Sequence, residues 1–313
     1  MLHRIRGSPL GPVPPMTLPL TILGGYLGAG KTTVVNHLLR HADGLRLAVL
    51  VNEFGELPID ADLIEAQDDD IISIAGGCVC CSYGNDLTLA LMDMAAMDPP
   101  PDHVLLEASG VALPGAIAAS VSLLAGYALD GVVVMCNAET IRDHAADPYI
   151  GDTVARQLAD ADLVVLNKTD LVEDAEGIAA WLAPMAAGAQ VVGAEHGALP
   201  PEVLLQSFVG RERRADGPAH RADLFRSAAY PVEERVDADA LAAGLAGLGL
   251  VRAKGFVDGA AGRVAVQTVG RRGTVSPAPD ALGTGVVAIG VAEAFDGGAV
   301  QGVIERCTLT RNS

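Results

Sequence analysis

The segment Gly25-Tyr-Leu-Gly28-Ala-Gly30-Lys31-Thr32 constrains the fold of this chain more than any other. It fits the pattern G-x-x-x-x-G-K-[ST], follows the apolar run Leu18–Leu23 and opens a stretch at helical spacing over Lys31–Ala42. A strand, a glycine-rich turn and a helix in that order aim backbone N–H groups into one concavity at a helix N-terminus. Glycine lets that backbone approach phosphate oxygens, because no Cβ stands in the way. Gly25, Gly28, Ala29, Gly30, Lys31, Thr32 and Thr33 are therefore the candidate phosphate-binding residues. In this arrangement the Lys31 ammonium reaches the β- and γ-phosphates, and the Thr32 hydroxyl ligates Mg²⁺.

The rest of the chain supplies the sheet on which such a loop sits. Apolar runs at Leu45–Val51, Ile71–Ile74, Val104–Leu106, Val132–Met135, Leu163–Leu166 and Gln190–Val192 read as strands. Stretches at helical spacing separate them, over Leu87–Met97, Gly115–Leu124, Thr153–Ala159 and Ile178–Ala186. Strands alternating with helices predict an α/β domain with a mostly parallel sheet, whose ligands sit at the carboxyl ends of the strands. Near residue 210 the composition turns polar and broken, in GRERRADGPAH. Beyond it the patterning predicts a strand near Arg226–Pro231, a helix over Asp237–Leu248 and strands at Leu250–Val257, Arg263–Val269 and Val286–Val291. The expected organisation is an N-terminal extension over 1–16, a phosphate-loop domain over 17–209, a linker over 210–225 and a small α+β domain over 226–313.

Composition narrows the class of protein. In 313 residues, 39 Asp and Glu outweigh 21 Lys and Arg, for a net charge of −18. A nucleic-acid binder or an anionic-membrane binder needs a basic footprint, so no nucleic acid and no membrane are expected as partners. No stretch approaches the ~18–20 apolar residues of a membrane helix. The first 16 residues lack the apolar core of a secretory signal, and Met16 is a candidate start. Three of the five cysteines fall within four positions, which points to a reduced, cytoplasmic compartment rather than a disulfide framework.

Asn167-Lys168-Thr169-Asp170 follows an apolar strand and so lies at a carboxyl end. A carboxylate placed there accepts from the N1–H and 2-amino groups of guanine, whereas adenine would leave it unpaired. Asn167 can bond the base edge and the Lys168 stem can cover its face. Together with the phosphate loop, Asp170 points to GTP over ATP. Glu107 ends another strand and begins Glu-Ala-Ser-Gly110. A carboxylate there can hold the Mg²⁺ shell or orient the attacking water, and the Gly110 N–H can reach the γ-phosphate. Lys31, Glu107 and Gly110 are the candidate catalytic residues.

Gly76-Gly77-Cys78-Val79-Cys80-Cys81 places three sulfurs where a folded loop can converge them on one soft or borderline cation. Burial as small hydrophobes, a redox pair and a disulfide are the alternatives, and Cys78 with Cys81 does have redox-pair spacing. Cys136, inside an apolar run, fits simple burial better. A fourth metal ligand can come from Glu56 or Glu53 in Val51-Asn-Glu53-Phe-Gly-Glu56, or from a histidine. His37 and His41, one helical turn apart, read as a partly solvated helix face.

Taken together, these motifs resemble those of the CobW-type metallochaperone GTPases, a group that includes zinc chaperones and nitrile hydratase activators. GGYLGAGKTT, VNEFGELPID, GGCVCC, VLLEASG and VVLNKTDLV occur in the family's order and spacing, and Arg252-Ala-Lys254-Gly255 resembles a signature of its C-terminal domain. The resemblance implies a slow GTPase whose nucleotide state controls loading or delivery of a transition metal, Zn²⁺ or Co²⁺, to a client metalloprotein that the C-terminal domain recognises. It assigns the phosphates and Mg²⁺ to Gly25 through Thr33, guanine to Asn167, Lys168 and Asp170, and the cargo metal to Cys78, Cys80 and Cys81, with Glu56 completing the expected set. Three departures stand out: Pro58 in place of a glycine, Asn137-Ala138 where Asp-Ala is common, and no histidine-rich loop. A metal buffer or sensor uncoupled from hydrolysis and a phosphate-loop small-molecule kinase are the competing readings. Self-association is left open.

Overall fold

The structure, a computed structural model, describes residues 17–41, 44–52, 71–76, 85–205, 224–278 and 284–309. The elements of the first half are β1 (Leu18–Gly24), α1 (Lys31–Arg40), β2 (Leu47–Asn52), β3 (Ile71–Gly76), α2 (Asn85–Ala95), β4 (His103–Glu107) and α3 (Pro114–Val121). They continue with β5 (Tyr127–Asn137), α4 (Ile141–Ala146), α5 (Gly151–Ala159), β6 (Leu163–Asn167), α6 (Ala175–Leu182), β7 (Gln190–Gly193) and the short α7 (Pro201–Leu204). The seven strands form one parallel sheet in the order β3-β2-β4-β1-β5-β6-β7.

Strands in such a sheet are apolar on both sides because both faces are covered. β4 and β6 are buried at every position. Alternation then divides each strand between two cores. Leu20, Ile22, Val104, Leu106, Val164 and Leu166 enter one, and Leu23, Leu105, Leu163 and Val165 enter the other. Since β1 lies between β4 and β5 while the chain leaves it for β2, the switch in strand order falls at β1, where the glycine-rich turn begins.

The second unit comprises β8 (Phe225–Tyr230), α8 (Ala238–Ala246), β9 (Arg252–Gly259), β10 (Gly262–Val269), β11 (Arg272–Pro277), β12 (Gly285–Val291) and α9 (Gly297–Cys307). Its five strands are antiparallel in the order β11-β10-β9-β12-β8. Leu241 and Leu245 of α8, Val300 and Val303 of α9, and Val257, Val266 and Ala288 of the sheet share a core of their own. Each helix is capped by an aspartate: Asp237 accepts from the Ala240 N–H and Asp296 from the Ala299 N–H, both at 3.0 Å.

The patterning predicts no element over Ile141–Ala146, Arg272–Pro277 or Gly297–Cys307, and three of the observed elements lie there. Arg-Gly-Thr-Val-Ser-Pro is a poorly apolar strand because it lies on a sheet edge, and α9 opens on two glycines. β5 is longer than the Val132–Met135 run, reaching back to Tyr127. α1 stops at Arg40, short of the predicted Ala42, and His41 caps it with a backbone bond to the Leu38 carbonyl.

The two sheets share a core, in which Val251, Val269 and Ile289 pack with Leu23, Val133 and Leu163. They also share one buried polar network. The register of β1 on β5 jumps between Leu20↔Leu129 and Thr21↔Gly131, so Asp130 is the bulged residue. A bulge re-aims a side chain. Here both oxygens of the Asp130 carboxylate accept from Arg252 Nη1, at 2.7 and 2.9 Å, and Oδ2 also accepts from the Thr21 hydroxyl at 2.8 Å. Arg252 spends its other donors on the carbonyls of Val203 (2.8 Å) and Leu204 (2.6 Å). His103 Nε2 lies 2.9 Å from the Thr21 oxygen. The Asp130 and Arg252 side chains are both 1 % exposed. Burial raises the Asp130 carboxyl, but Arg252 and His103 together hold it below its ordinary range. Burial, helped by the Arg252 and Lys254 charges, lowers His103 to about 4 against the pull of Asp130, so the ring is neutral at pH 7.

Candidate functional site

The loop between β1 and α1 is shaped by left-handed glycines. Gly25 has φ 129° and Gly30, the N-cap of α1, has φ 96°. A Cβ at Gly25 would strike the Met135 carbonyl of β5, and one at Gly30 would strike the Asn167 side-chain amide. Both conformation and space therefore require glycine. The loop closes with the Ala29 N–H on the Tyr26 carbonyl at 3.2 Å, and Lys31 Nζ donates to the Gly25 carbonyl at 2.8 Å. Its ammonium thus lies across the concavity that the backbone forms.

Glu107 ends β4 beside this loop and is 3 % exposed. Its Oε1 accepts from the Thr32 hydroxyl at 3.2 Å. Two hard oxygen donors meet there, at the first turn of α1, which is a donor set suited to Mg²⁺. The Ala108 N–H bonds the Leu23 carbonyl at 2.9 Å, so the turn after β4 is fastened to the strand that carries the loop. Gly110 packs against Leu27 of the loop. The buried Gln157 of α5 donates to the Gly110 and Ala112 carbonyls at 3.1 and 2.8 Å. Gln157 was not legible in the sequence, since a glutamine on an amphipathic helix gives no signal of a partner 47 residues away.

Asn167 ends β6 and is 1 % exposed. It donates from Nδ2 to the Ala29 carbonyl at 3.1 Å and accepts at Oδ1 from the Gly197 N–H at 2.9 Å. It therefore ties the phosphate loop to the loop after β7. Lys168 adopts φ 62°, turning the chain so that Thr169 bonds the Ala194 carbonyl through both its N–H and its hydroxyl, at 3.1 Å each. Asp170 follows at the open side, where His196 Nε2 lies 3.7 Å from its Oδ2. Asn137, level with Asn167 in the sheet, uses its Oδ1 on the Glu139 N–H at 3.0 Å.

These residues, drawn from β1, β4 and β6, share the carboxyl edge of one sheet. Gly28, Ala29, Thr32 and Thr33 lie in or directly after the loop. Cys78, Cys80, Cys81, Glu53, Glu56 and Pro58 lie outside the described residues. Among the described residues no group of three or more His, Cys, Asp or Glu converges as a metal set. Cys136 is buried, and burial pushes its thiol up to about 12. His37 and His41 are half-buried; His37 Nε2 lies 3.1 Å from the Leu199 carbonyl, and their rings lie 4.3 Å apart. Among the described residues no helix is long and apolar enough to cross a membrane.

Comparison with known proteins agrees with this layout. Residues 19–193 match the CobW/HypB/UreG nucleotide-binding domain. A protein of Sinorhizobium sp named zinc chaperone CobW is 31% identical over 305 residues, covering 82% of this chain and 86% of that protein. A zinc chaperone CobW of Pseudomonas aeruginosa is 32% identical over 305 residues, covering 82% of this chain and 81% of the relative. The zinc chaperone YjiA of Escherichia coli is 36% identical over 189 residues, covering 58% of each. With a phosphate loop, an acidic strand end and an Asn-Lys-x-Asp turn on one sheet edge, this chain belongs to the CobW/HypB/UreG family.

Proposed function

We propose that the protein is a GTP-hydrolysing metallochaperone that loads or delivers a transition metal, zinc or cobalt, to a client protein under nucleotide control. The observation that carries the nucleotide half is the Asn167 tie. Asn167, which opens the turn that carries Asp170, bonds the phosphate loop at the Ala29 carbonyl, so one ligand would span the loop and the turn. Lys31 and the N–H groups of Gly28 through Thr33 hold the phosphates, and Asp170 accepts from guanine. The Thr32 hydroxyl and Glu107 would hold Mg²⁺, which supplies positive charge at the β- and γ-oxygens. Glu107 orients the Thr32 hydroxyl through Oε1. The Gly110 N–H, on a turn held by Gln157, donates to the terminal phosphate.

The metal half rests on Cys78, Cys80 and Cys81 with Glu56 and on the relatives, whose names are those of zinc chaperones. In the sequence the cargo ligands follow β2 and β3, which neighbour β4 and its Glu107 in the sheet. The client is recognised by the unit over 226–313, and the protein works in the cytoplasm. The test of the nucleotide reading is phosphate release by the full chain with GTP and with ATP. GTP should be preferred by more than about tenfold. Asp170→Asn should weaken GTP and favour a xanthine nucleotide, and Lys31→Ala should abolish turnover. Equal use of ATP and GTP would overturn the reading.

A further inference from the structure

The second sheet ends at β11, whose outer edge pairs with no described strand. Arg272–Pro277 is exposed or half-buried along its whole length. Such an edge offers unpaired backbone N–H and C=O groups to another extended chain, and proteins ordinarily blunt it. Here α8 runs beside it: a Cβ at Gly273 would lie 3.0 Å from the Ala242 carbonyl. Alongside this contact runs a cleft of about 590 Å³, lined by Ala243, Ala246, Gly273 and Val275, with Asp239 and Arg271 as its charged groups. An open edge strand bordered by a cleft of small side chains is a surface suited to strand addition.

The two charges give the cleft a direction. Arg271 precedes β11 and its guanidinium lies over Gly188. Asp239 lies one helical turn before Ala242, which faces Gly273, and so sits toward the Pro277 end. The separation is about four strand residues, or ~13 Å. Neither Arg271 nor Asp239 makes a hydrogen bond or ion pair with a described residue. In a chain of net charge −18, a guanidinium with no acidic partner among the described residues is a selective place for an incoming carboxylate. Arg271 also lines a second cleft of about 620 Å³, beside Asp160 and Asp162, so the path does not end at the arginine. That continuity favours the middle of a chain over a terminus.

We infer that the β11–α8 cleft binds an extended internal segment of a partner protein, added antiparallel to β11. The segment places a basic residue toward Asp239 and an acidic residue, about four positions later, at Arg271. Antiparallel pairing is the more stable ladder per residue. With side chains alternating across the strand, positions four apart share a face. The inference concerns a surface of the second sheet and stands apart from the nucleotide reading.

The experiment is fluorescence anisotropy of the full chain, without nucleotide, and a labelled, end-blocked peptide of alternating valine and threonine carrying lysine and, four positions on, glutamate. Saturable micromolar binding is expected, weakened about tenfold or more by Arg271→Glu. The Asp239→Lys, Arg271→Glu protein, with circular dichroism verifying its fold, should prefer the peptide with the two charges exchanged. N-methylation of one alternating set of peptide amides should abolish binding, and methylation of the other set should spare it. No saturable binding at ~1 mM peptide, equal binding by Arg271→Glu, or tolerance of both methylated sets would overturn the proposal. So would sedimentation showing a dimer that Arg271→Glu dissociates, because the edge would then belong to a second copy.

Discussion

Replacing Arg252 by methionine removes a fully buried guanidinium that joins the two sheets. Arg252 and Asp130 are each 1 % exposed, and the guanidinium makes two bonds to the carboxylate and one each to the Val203 and Leu204 carbonyls. Methionine keeps most of the aliphatic volume, so cavity formation adds little. What remains is a buried carboxylate without its cation, together with two carbonyls that lose a charged donor. Breaking a buried pair in this way costs about 3–5 kcal/mol. Arg252→Met should lower unfolding free energy by that amount in urea titrations followed by Trp181 fluorescence and by hydrogen exchange of the second sheet. His103 responds as well. It loses the positive charge that helps depress its pKa and keeps the negative one that raises it, so its pKa should move up from about 4. The double variant Asp130→Ala, Arg252→Met should cost less than the two singles combined, by about 2 kcal/mol. Arg263→Gln serves as the control. It breaks the Asp258 pair at a partly exposed site and should cost much less than Arg252→Met. A loss below 1 kcal/mol for Arg252→Met, or strict additivity in the double variant, would refute the idea that this pair fastens the sheets.

His103 predicts a pH signature. Its folded pKa of about 4 lies below the ordinary 6.5, so the unfolded chain binds the proton first as pH falls. Stability present above about pH 6.5 is lost down to about pH 4, amounting to about 2 kcal/mol at pH 5. Asp130, also held low, adds a loss only as the pH falls further, through its folded pKa. His103→Asn should flatten the change in urea midpoint between pH 8 and pH 5, and an unchanged slope would contradict the buried neutral ring. Gly30→Ala combines a left-handed backbone with a clash on Asn167, so binding of a fluorescent GDP should fall by more than about tenfold while circular dichroism stays native. Retained affinity would mean that the loop and the Asn167 turn need not be tied.

The nucleotide edge was legible because each of its motifs is local. A glycine-rich turn, an acid ending an apolar run and Asn-Lys-Thr-Asp after another run each announce their place on the sheet. Their mutual ties were not. The sequence suggests a base contact for Asn167 but not that its amide atoms bond two backbone loops, one of them 138 residues away. Arg252 was legible only as part of a family signature, whereas its physical role depends on a bulge that turns Asp130 inward. A bulge leaves no mark in the run Leu129-Asp130-Gly131-Val132 beyond a lone acid among apolar residues. β11 escaped notice for the opposite reason. It has little apolar character because it lies at the sheet edge, exposed or half-buried along its length, with Val275 packed on the core of the second unit.

If the protein is a nucleotide-controlled metallochaperone, nucleotide and cargo metal are read by one switch. This is tested most directly by anaerobic competition titration of Zn²⁺, and separately Co²⁺, into the full chain with Mg²⁺ and either a non-hydrolysable GTP analogue or GDP. Metal affinity should differ between the two nucleotide states by about tenfold or more, equivalent to about 1.4 kcal/mol of coupling. Cys80→Ala, Cys81→Ala should remove the bound metal and the difference with it. Superimposable titration curves in the two nucleotide states, with the metal still bound through the cysteines, would contradict the single switch.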